Sequence, residues 1–288
     1  MQYFYRIADL VIAVDAVDGV PEMYNFQPFR CDAAAAAAAA ADIRYHVRPY
    51  PADSPPVPPE EAMELVGQDY VNRLYLADGR LFKRVGMLEG DPRAMWFEQR
   101  IGDWHQATVH IPDDWLDYQG FGNVFSLEKT LLPFGGLMLH CSLIEHEGRM
   151  IAFSARSGAG KSTQAGLWEK HKGARIINGD RGILRNVGGA INAYGSPYAG
   201  SSLLFIDVKA PLAAIVMLEQ AKENTIRKMP QDEALGLFVS QSSLPLWQPE
   251  LFEMGMETLE AIITGVPMYK LSCLPDEGAV ECVYECLK

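Results

Sequence analysis

Nine residues carry the clearest chemistry in this 288-residue chain: Ala155-Arg156-Ser157-Gly158-Ala159-Gly160-Lys161-Ser162-Thr163. Their spacing is that of a P-loop (Walker A), G-x-x-x-x-G-K-[ST], with Ala155 at the first glycine position. A polyphosphate needs many donors close together and little steric bulk. Gly158 and Gly160 allow a tight turn that brings backbone N–H groups near phosphate oxygens. A helix opening directly afterwards adds its unpaired N–H groups and its positive dipole end. On this reading residues Ser157 to Thr163 hold the nucleotide, Lys161 reaches the terminal phosphates, and the Ser162 hydroxyl is offered to Mg2+. Alanine is the smallest replacement at a position that mainly starts the turn. The competing reading is a glycine-rich turn that binds nothing. The flanks oppose it: an apolar run, Met150–Phe153, precedes the loop, and a helix-like segment, Thr163–Lys172, follows.

The surrounding sequence supplies the elements that such a loop requires. Leu137–Glu145, the turn His146-Glu147-Gly148 and Arg149–Ser154 read as a hairpin whose second strand ends in the loop. Gly173 stops the helix. Ala174–Asn178 reads as a strand with Asp180 just past its end. A carboxylate there suits Mg2+, which takes oxygen ligands and usually only one or two carboxylates, so Asp180 joins Ser162 as a candidate metal ligand. Asp180 also reads as a plain turn residue before Arg181. Gly182–Arg185 and Ala190–Tyr194 flank Asn186-Val187-Gly188-Gly189 as a second hairpin, and Pro211–Glu219 reads as a buried strand. Asp232–Phe238 and Pro249–Thr264 have helical spacing. Pro275-Asp276 caps a last helix to Cys286, with Val280, Val283, Tyr284 and Leu287 as its apolar stripe.

Residues 1–128 read as a β-rich domain, and a change of character near 129 sets the boundary with a second domain, 129–288. Tyr3–Val14 reads as an opening strand. Ala77-Asp78-Gly79-Arg80 and Gly102-Asp103 mark hairpin turns. Pro49–Pro59 holds six prolines and reads as an extended, semi-rigid connector. The nine alanines Ala33–Ala41 are out of keeping with the rest and are set aside.

The formal charge is −12, concentrated in residues 1–128, where 10 Lys and Arg face 20 Asp and Glu. Such a balance argues against general nucleic-acid binding, which needs cations against phosphates. No apolar run reaches the ~18 residues of a membrane span, and the N-terminus lacks signal-peptide character, so a cytoplasmic protein without a membrane partner is expected. Five cysteines without a C-x-x-C pair argue against a disulfide framework or zinc knuckle. Cys282 and Cys286, one helical turn apart, read as core-facing.

Four segments in order carry a resemblance: Leu139-His140-Cys141-Ser142, Ser157–Ser162, Asn178-Gly179-Asp180-Arg181, and Tyr194-Gly195-Ser196-Pro197-Tyr198-Ala199-Gly200. Together they resemble the HPr kinase/phosphorylase family over about residues 130–288. The resemblance implies an α/β fold: a P-loop kinase domain of the phosphoenolpyruvate-carboxykinase-like type, here preceded by a β-rich, α+β N-terminal half. It implies ATP as the nucleotide, a metal-side carboxylate at Asp180, and a histidine at His140 near the phosphates. His140 reads either as a proton-transfer group or as a satisfied core histidine. The family carries two adjacent aspartates where this chain has Gly179-Asp180, so the position of its base is empty here. Homo-oligomers are common in the family and are left open.

Three functions follow as expectations. The first is an ATP- and Mg2+-dependent kinase, a transferase moving the γ-phosphoryl group to a hydroxyl, serine foremost, of a protein, peptide or small molecule. Its catalytic residues would be Lys161, Asp180 and His140. The second, favoured by Gly179, is a non-catalytic nucleotide-binding regulatory module. The third, a carboxykinase-like enzyme acting on a small acid, needs a carboxylate-holding basic set and a His/Asp metal set that the sequence does not reveal.

Overall fold

The structure, a computed structural model, describes residues 1–32, 40–56, 58–67, 72–86, 93–115 and 124–288. Of the alanine run, only Ala40 and Ala41 are among them. The chain divides into two compact units, Met1–Thr130 and Leu131–Lys288.

The first unit is built on one eight-stranded sheet. Its strands are β1 (Gln2–Ile7), β2 (Leu10–Asp15), β3 (Ile43–Tyr50), β4 (Met63–Gly67), β5 (Asn72–Ala77), β6 (Arg80–Gly86), β7 (Ala94–Arg100) and β8 (Gln106–Pro112), in the order β1-β2-β3-β8-β7-β6-β5-β4. The β5–β6 hairpin turns on Asp78 and Gly79, both at positive φ. That is the mirror-image turn which matches strand twist and favours Asp-Gly. The expected single strand Tyr3–Val14 is instead a hairpin, because Ala8 and Asp9 adopt positive φ between β1 and β2. The expected proline connector also starts later: Pro49 and Tyr50 finish β3, paired with Ile111 and Pro112 of β8. Tyr5, Phe26, Tyr45 and Phe125 fill the core edge to face, and the Tyr45 hydroxyl donates to Phe125 O at 2.9 Å.

The second unit is mixed α/β. Its elements are β9 (Gly136–His146), β10 (Arg149–Ser154), α1 (Lys161–Lys172), β11 (Arg175–Asn178), β12 (Arg181–Val187), β13 (Ala190–Tyr194), β14 (Lys209–Gln220), β15 (Thr225–Lys228), α2 (Gln231–Gln241), α3 (Pro249–Gly265), β16 (Met268–Cys273) and α4 (Glu277–Leu287). Two long strands each serve three partners along their length, β9 taking β10, β11 and β12 and β14 taking β10, β13 and β16. Residues 136–140 of β9 pair with β12, and 141–146 pair with β10. The start of β14 pairs with β13, and its remainder runs parallel to β10 and β16. The carboxyl end of β10 thus lies inside a sheet, with β9 and β14 on either side, and the loop that leaves it is held at its root. The sequence reading passes over β15 and β16. Thr225–Lys228 is short and polar and shows no strand period, whereas Tyr269–Cys273 alternates apolar and polar residues and carries one.

Helix α1 starts from Gly160 and stops at Gly173, whose left-handed backbone lets Gly173 N and Ala174 N donate to Glu169 O and Trp168 O. It packs on the sheet beside α4. Phe153, Trp168, Val216, Leu271, Val280 and Val283 meet there, and Trp168 and Phe153 are fully buried. Lys172 on α1 bonds Glu281 on α4 at 2.6 Å. Asp276 caps α4 by accepting from Ala279 N. Cys282 is partly buried against this core, but Cys286 is exposed, so the expected pair of core-facing cysteines is not formed: the helix turns the second one to solvent. Among the described residues, no helix is long and apolar enough to cross a membrane.

Phe153 braces both strand and helix directly under the loop. Phe153→Ala is expected to cost about 3–5 kcal/mol, read as a lowered urea midpoint with an unchanged denaturant slope.

Candidate functional site

The P-loop links β10 to α1. Gly158 (φ 77°) and Gly160 (φ 108°) take left-handed backbone, and a Cβ on either would meet nothing within 4 Å. The concave side is therefore open, and glycine is needed for backbone shape. Ala159 N donates to Arg156 O at 3.2 Å inside the turn. Ala155 is buried, and its methyl joins the core cluster of Phe153 and Ala165. That contact accounts for the departure from glycine: the position packs inward. Ser157, Gly158, Ser162 and Thr163 are exposed, while Ala159 and Gly160 are half-buried.

Lys161 is only 8% exposed, and its Nζ donates to Ala155 O at 3.2 Å. Burial pushes its pKa down, and the Asp180 carboxylate works against that. A buried ammonium hydrogen-bonded to a backbone carbonyl is short of counter-charge, which is what a phosphate brings.

Asp180 is placed by a buried amide. Asn178 ends β11 with no solvent exposure. Its Oδ1 accepts from Asp180 N at 2.9 Å and Arg181 N at 2.7 Å. Its Nδ2 donates to Ser196 O at 3.4 Å and Tyr198 O at 3.1 Å. Beyond the turn, β12 runs against β9 with Arg181 opposite His140, and Cys141 N donates to Asp180 O at 2.9 Å. His140 Nε2 then lies 3.5 Å from Asp180 Oδ1, and Arg181 Nε lies 3.5 Å from Oδ2. His140 and Asp180 are 35% and 34% exposed, so solvent and ligand both reach them. The His140 pKa is lowered, first by burial and then by Lys161, against the Asp180 carboxylate and the Gln241 side chain. The Ser154 hydroxyl donates to His140 O at 2.8 Å and ties this strand to the root of the P-loop.

The structure thus brings Lys161, His140, Asp180 and Arg181 into one electrostatic group. Ser162 stands beside it on the exposed first turn of α1. Among the described residues, no three His, Cys, Asp or Glu side chains converge to hold a metal. The donor set of Ser162 and Asp180 fits Mg2+ that arrives with a nucleotide, where phosphate oxygens and water complete the shell. It does not supply the metal set that a carboxykinase reading requires.

The space where a Gly179 side chain would lie is closed. A Cβ built on Gly179 would lie 2.6 Å from Ser202 Cβ and 2.8 Å from its Oγ. One on Gly200 would lie 2.9 Å from Asp180 Cγ and 3.1 Å from Oδ2. Residues 199–202 therefore rest on Gly179 and Asp180. Asn178 stood in a motif without a role of its own, and Ser202 and Gln241 were not legible as site residues: a serine in a turn and a glutamine at a helix end, far apart in sequence, carry no motif.

No family model and no curated protein matches the chain. Among solved structures it is similar to the HPr(Ser) kinase/phosphatase from Coxiella burnetii, at 10% identity and a TM-score of 0.31, over 52% of this chain and 95% of that one. A TM-score that low carries no argument about fold or activity, so the functional reading stands on the residues of the site.

Two outcomes follow. Gly179→Ala overpacks against Ser202 and is expected to cost about 1–3 kcal/mol. Adding Ser202→Gly should recover much of that loss, and a double-mutant cycle by urea unfolding measures the coupling. The second concerns pH. Because the folded state holds the His140 pKa below its ordinary 6.5, the unfolded chain binds that proton more readily. His140 therefore makes no pH-dependent contribution above that value and lowers stability as pH falls below it. His140→Gln should lose less stability than the wild type between pH 7 and pH 5, and equal losses would contradict the assignment.

Proposed function

We propose that residues 129–288 form an ATP- and Mg2+-dependent kinase domain that transfers the γ-phosphoryl group to a hydroxyl of a protein, peptide or small molecule, with serine the leading acceptor. The observation that carries this reading is the buried Lys161, short of counter-charge at the mouth of an open glycine loop, with the Asp180–His140 pair in its field. Phosphoryl transfer is mainly positioning and charge neutralisation, and these residues match both tasks. The loop amides and Lys161 would bind the β- and γ-phosphates. Ser162 and Asp180 would hold Mg2+, which when bound neutralises the phosphates and orients them. His140, neutral at pH 7 with its pKa held low, would take up the acceptor's proton. Residues 1–128, acidic and β-rich, would present the acceptor.

A second reading is favoured by one specific observation. Ser202 fills the space at Gly179 where the resembling family has its base. A site closed there would bind nucleotide without turnover and act as a regulatory module.

Calorimetric titration with ATP and Mg2+, followed by measurement of ADP release, separates these readings. The kinase reading expects micromolar binding by the wild type, loss of at least about tenfold in affinity, roughly 1.4 kcal/mol, for Lys161→Ala, and near-normal binding with turnover lowered about a hundredfold or more for Asp180→Asn. Binding without ADP release would select the regulatory module. No binding by the wild type would remove both.

A further inference from the structure

Ser202 is an exposed serine brought against the candidate phosphoryl-transfer site by its own chain. Its hydroxyl lies 2.8 Å from where a Gly179 side chain would begin. Gly200, two residues earlier, packs on the Asp180 carboxylate, which in turn faces His140. The loop is not held there loosely. Ser202 Oγ donates to Ala199 O at 2.6 Å, and the Asn178 amide fixes Ser196 and Tyr198 just upstream. Gly195 locks the other end: a Cβ there would lie 1.7 Å from Ile206 O, so the two arms of the loop touch backbone to backbone. Leu203 closes the turn at φ 51°, a left-handed conformation unfavourable for leucine. The absence of side chains at Gly179 and Gly200 lets Ser202 sit against residue 179 and residue 200 against the Asp180 carboxylate.

We infer that Ser202 is a phosphorylation site of this protein, modified in cis by its own nucleotide site. The inference rests on the kinase reading above and names an acceptor for it. In the step, Ser202 Oγ bonds to the γ-phosphorus of ATP, and the bond from that phosphorus to the β,γ-bridging oxygen breaks, its electron pair leaving with ADP. The hydroxyl proton passes to the His140–Asp180 pair. The product carries about −1.5 to −2 of new charge against the Asp180 carboxylate. Repulsion then drives the loop off Asp180, so the modification uncovers the carboxylate.

The test incubates the full chain with ATP and Mg2+, maps phosphate by mass spectrometry, and follows nucleotide binding by calorimetry in the same samples. The expected result is one phosphate on Ser202 in the wild type and in Ser201→Ala, at a rate independent of protein concentration. Lys161→Ala and Ser202→Ala should carry none, and Ser202→Thr should carry phosphothreonine at that position. ATP binding and ADP release with Ser202 unmodified would overturn the inference while leaving the kinase reading standing. Modification only at Ser201, or at a rate that rises with protein concentration, would also overturn it. Absence of nucleotide binding by the wild type would remove the kinase reading itself, and the inference with it.

Discussion

Asn178 is fully buried and uses both ends of its side-chain amide. One end receives the backbone N–H groups of Asp180 and Arg181, and the other donates to the carbonyls of Ser196 and Tyr198. A buried amide left half satisfied would cost more than an apolar side chain in its place, so the turn and the loop have to form together. The direction of the Asp180 carboxylate, its approach to His140, and the seating of residues 199–202 on Gly179 all follow from that one side chain. The strand pair β9–β12 supplies the remaining constraint by setting Arg181 opposite His140.

The charges of the site are set against one another. Lys161 and His140 each lose proton affinity to burial, and Lys161 further disfavours the charged imidazole, while Asp180 favours both cations. This leaves the Lys161 ammonium and the Arg181 guanidinium about one carboxylate, with a neutral imidazole beside them. On the proposed reading, an incoming polyphosphate would supply the counter-charge that Lys161 is short of. The acidic excess of the chain lies mostly in residues 1–128, where 10 cations face 20 anions. The nucleotide candidate is thus carried by the nearly balanced half.

Where the chemistry is local, the sequence was readable. The P-loop string, its preceding hairpin, Gly173 as helix stop and Asp276 as cap all stand where spacing put them, because each is decided within a few residues. The Ala8-Asp9 turn was not readable, since neither residue advertises positive φ as glycine does. β15 escaped for a different reason: four residues are too few to show a period, and its partner β16, itself paired with β14, lies dozens of residues later. The same distance hid Ser202. Nothing in its neighbours announces contact with Gly179, and the vacancy at 179 acquires meaning only once the loop that fills it is seen.

Trp168 sits on α1, the helix that begins at Lys161, and is enclosed by rings in unlike orientations. His146 lies edge-on at 5.4 Å, Phe153 is tilted at 6.1 Å, and Tyr284 is edge-on at 6.4 Å. An indole fixed in such asymmetric surroundings is a source of near-ultraviolet circular dichroism, a signal that depends on tight packing and disappears when side chains loosen while helices persist. The docking of α1 onto its sheet therefore writes itself into the optical activity of the protein, and a chain in which α1 is formed but undocked would be helical by far-ultraviolet light and lack this indole's contribution in the near.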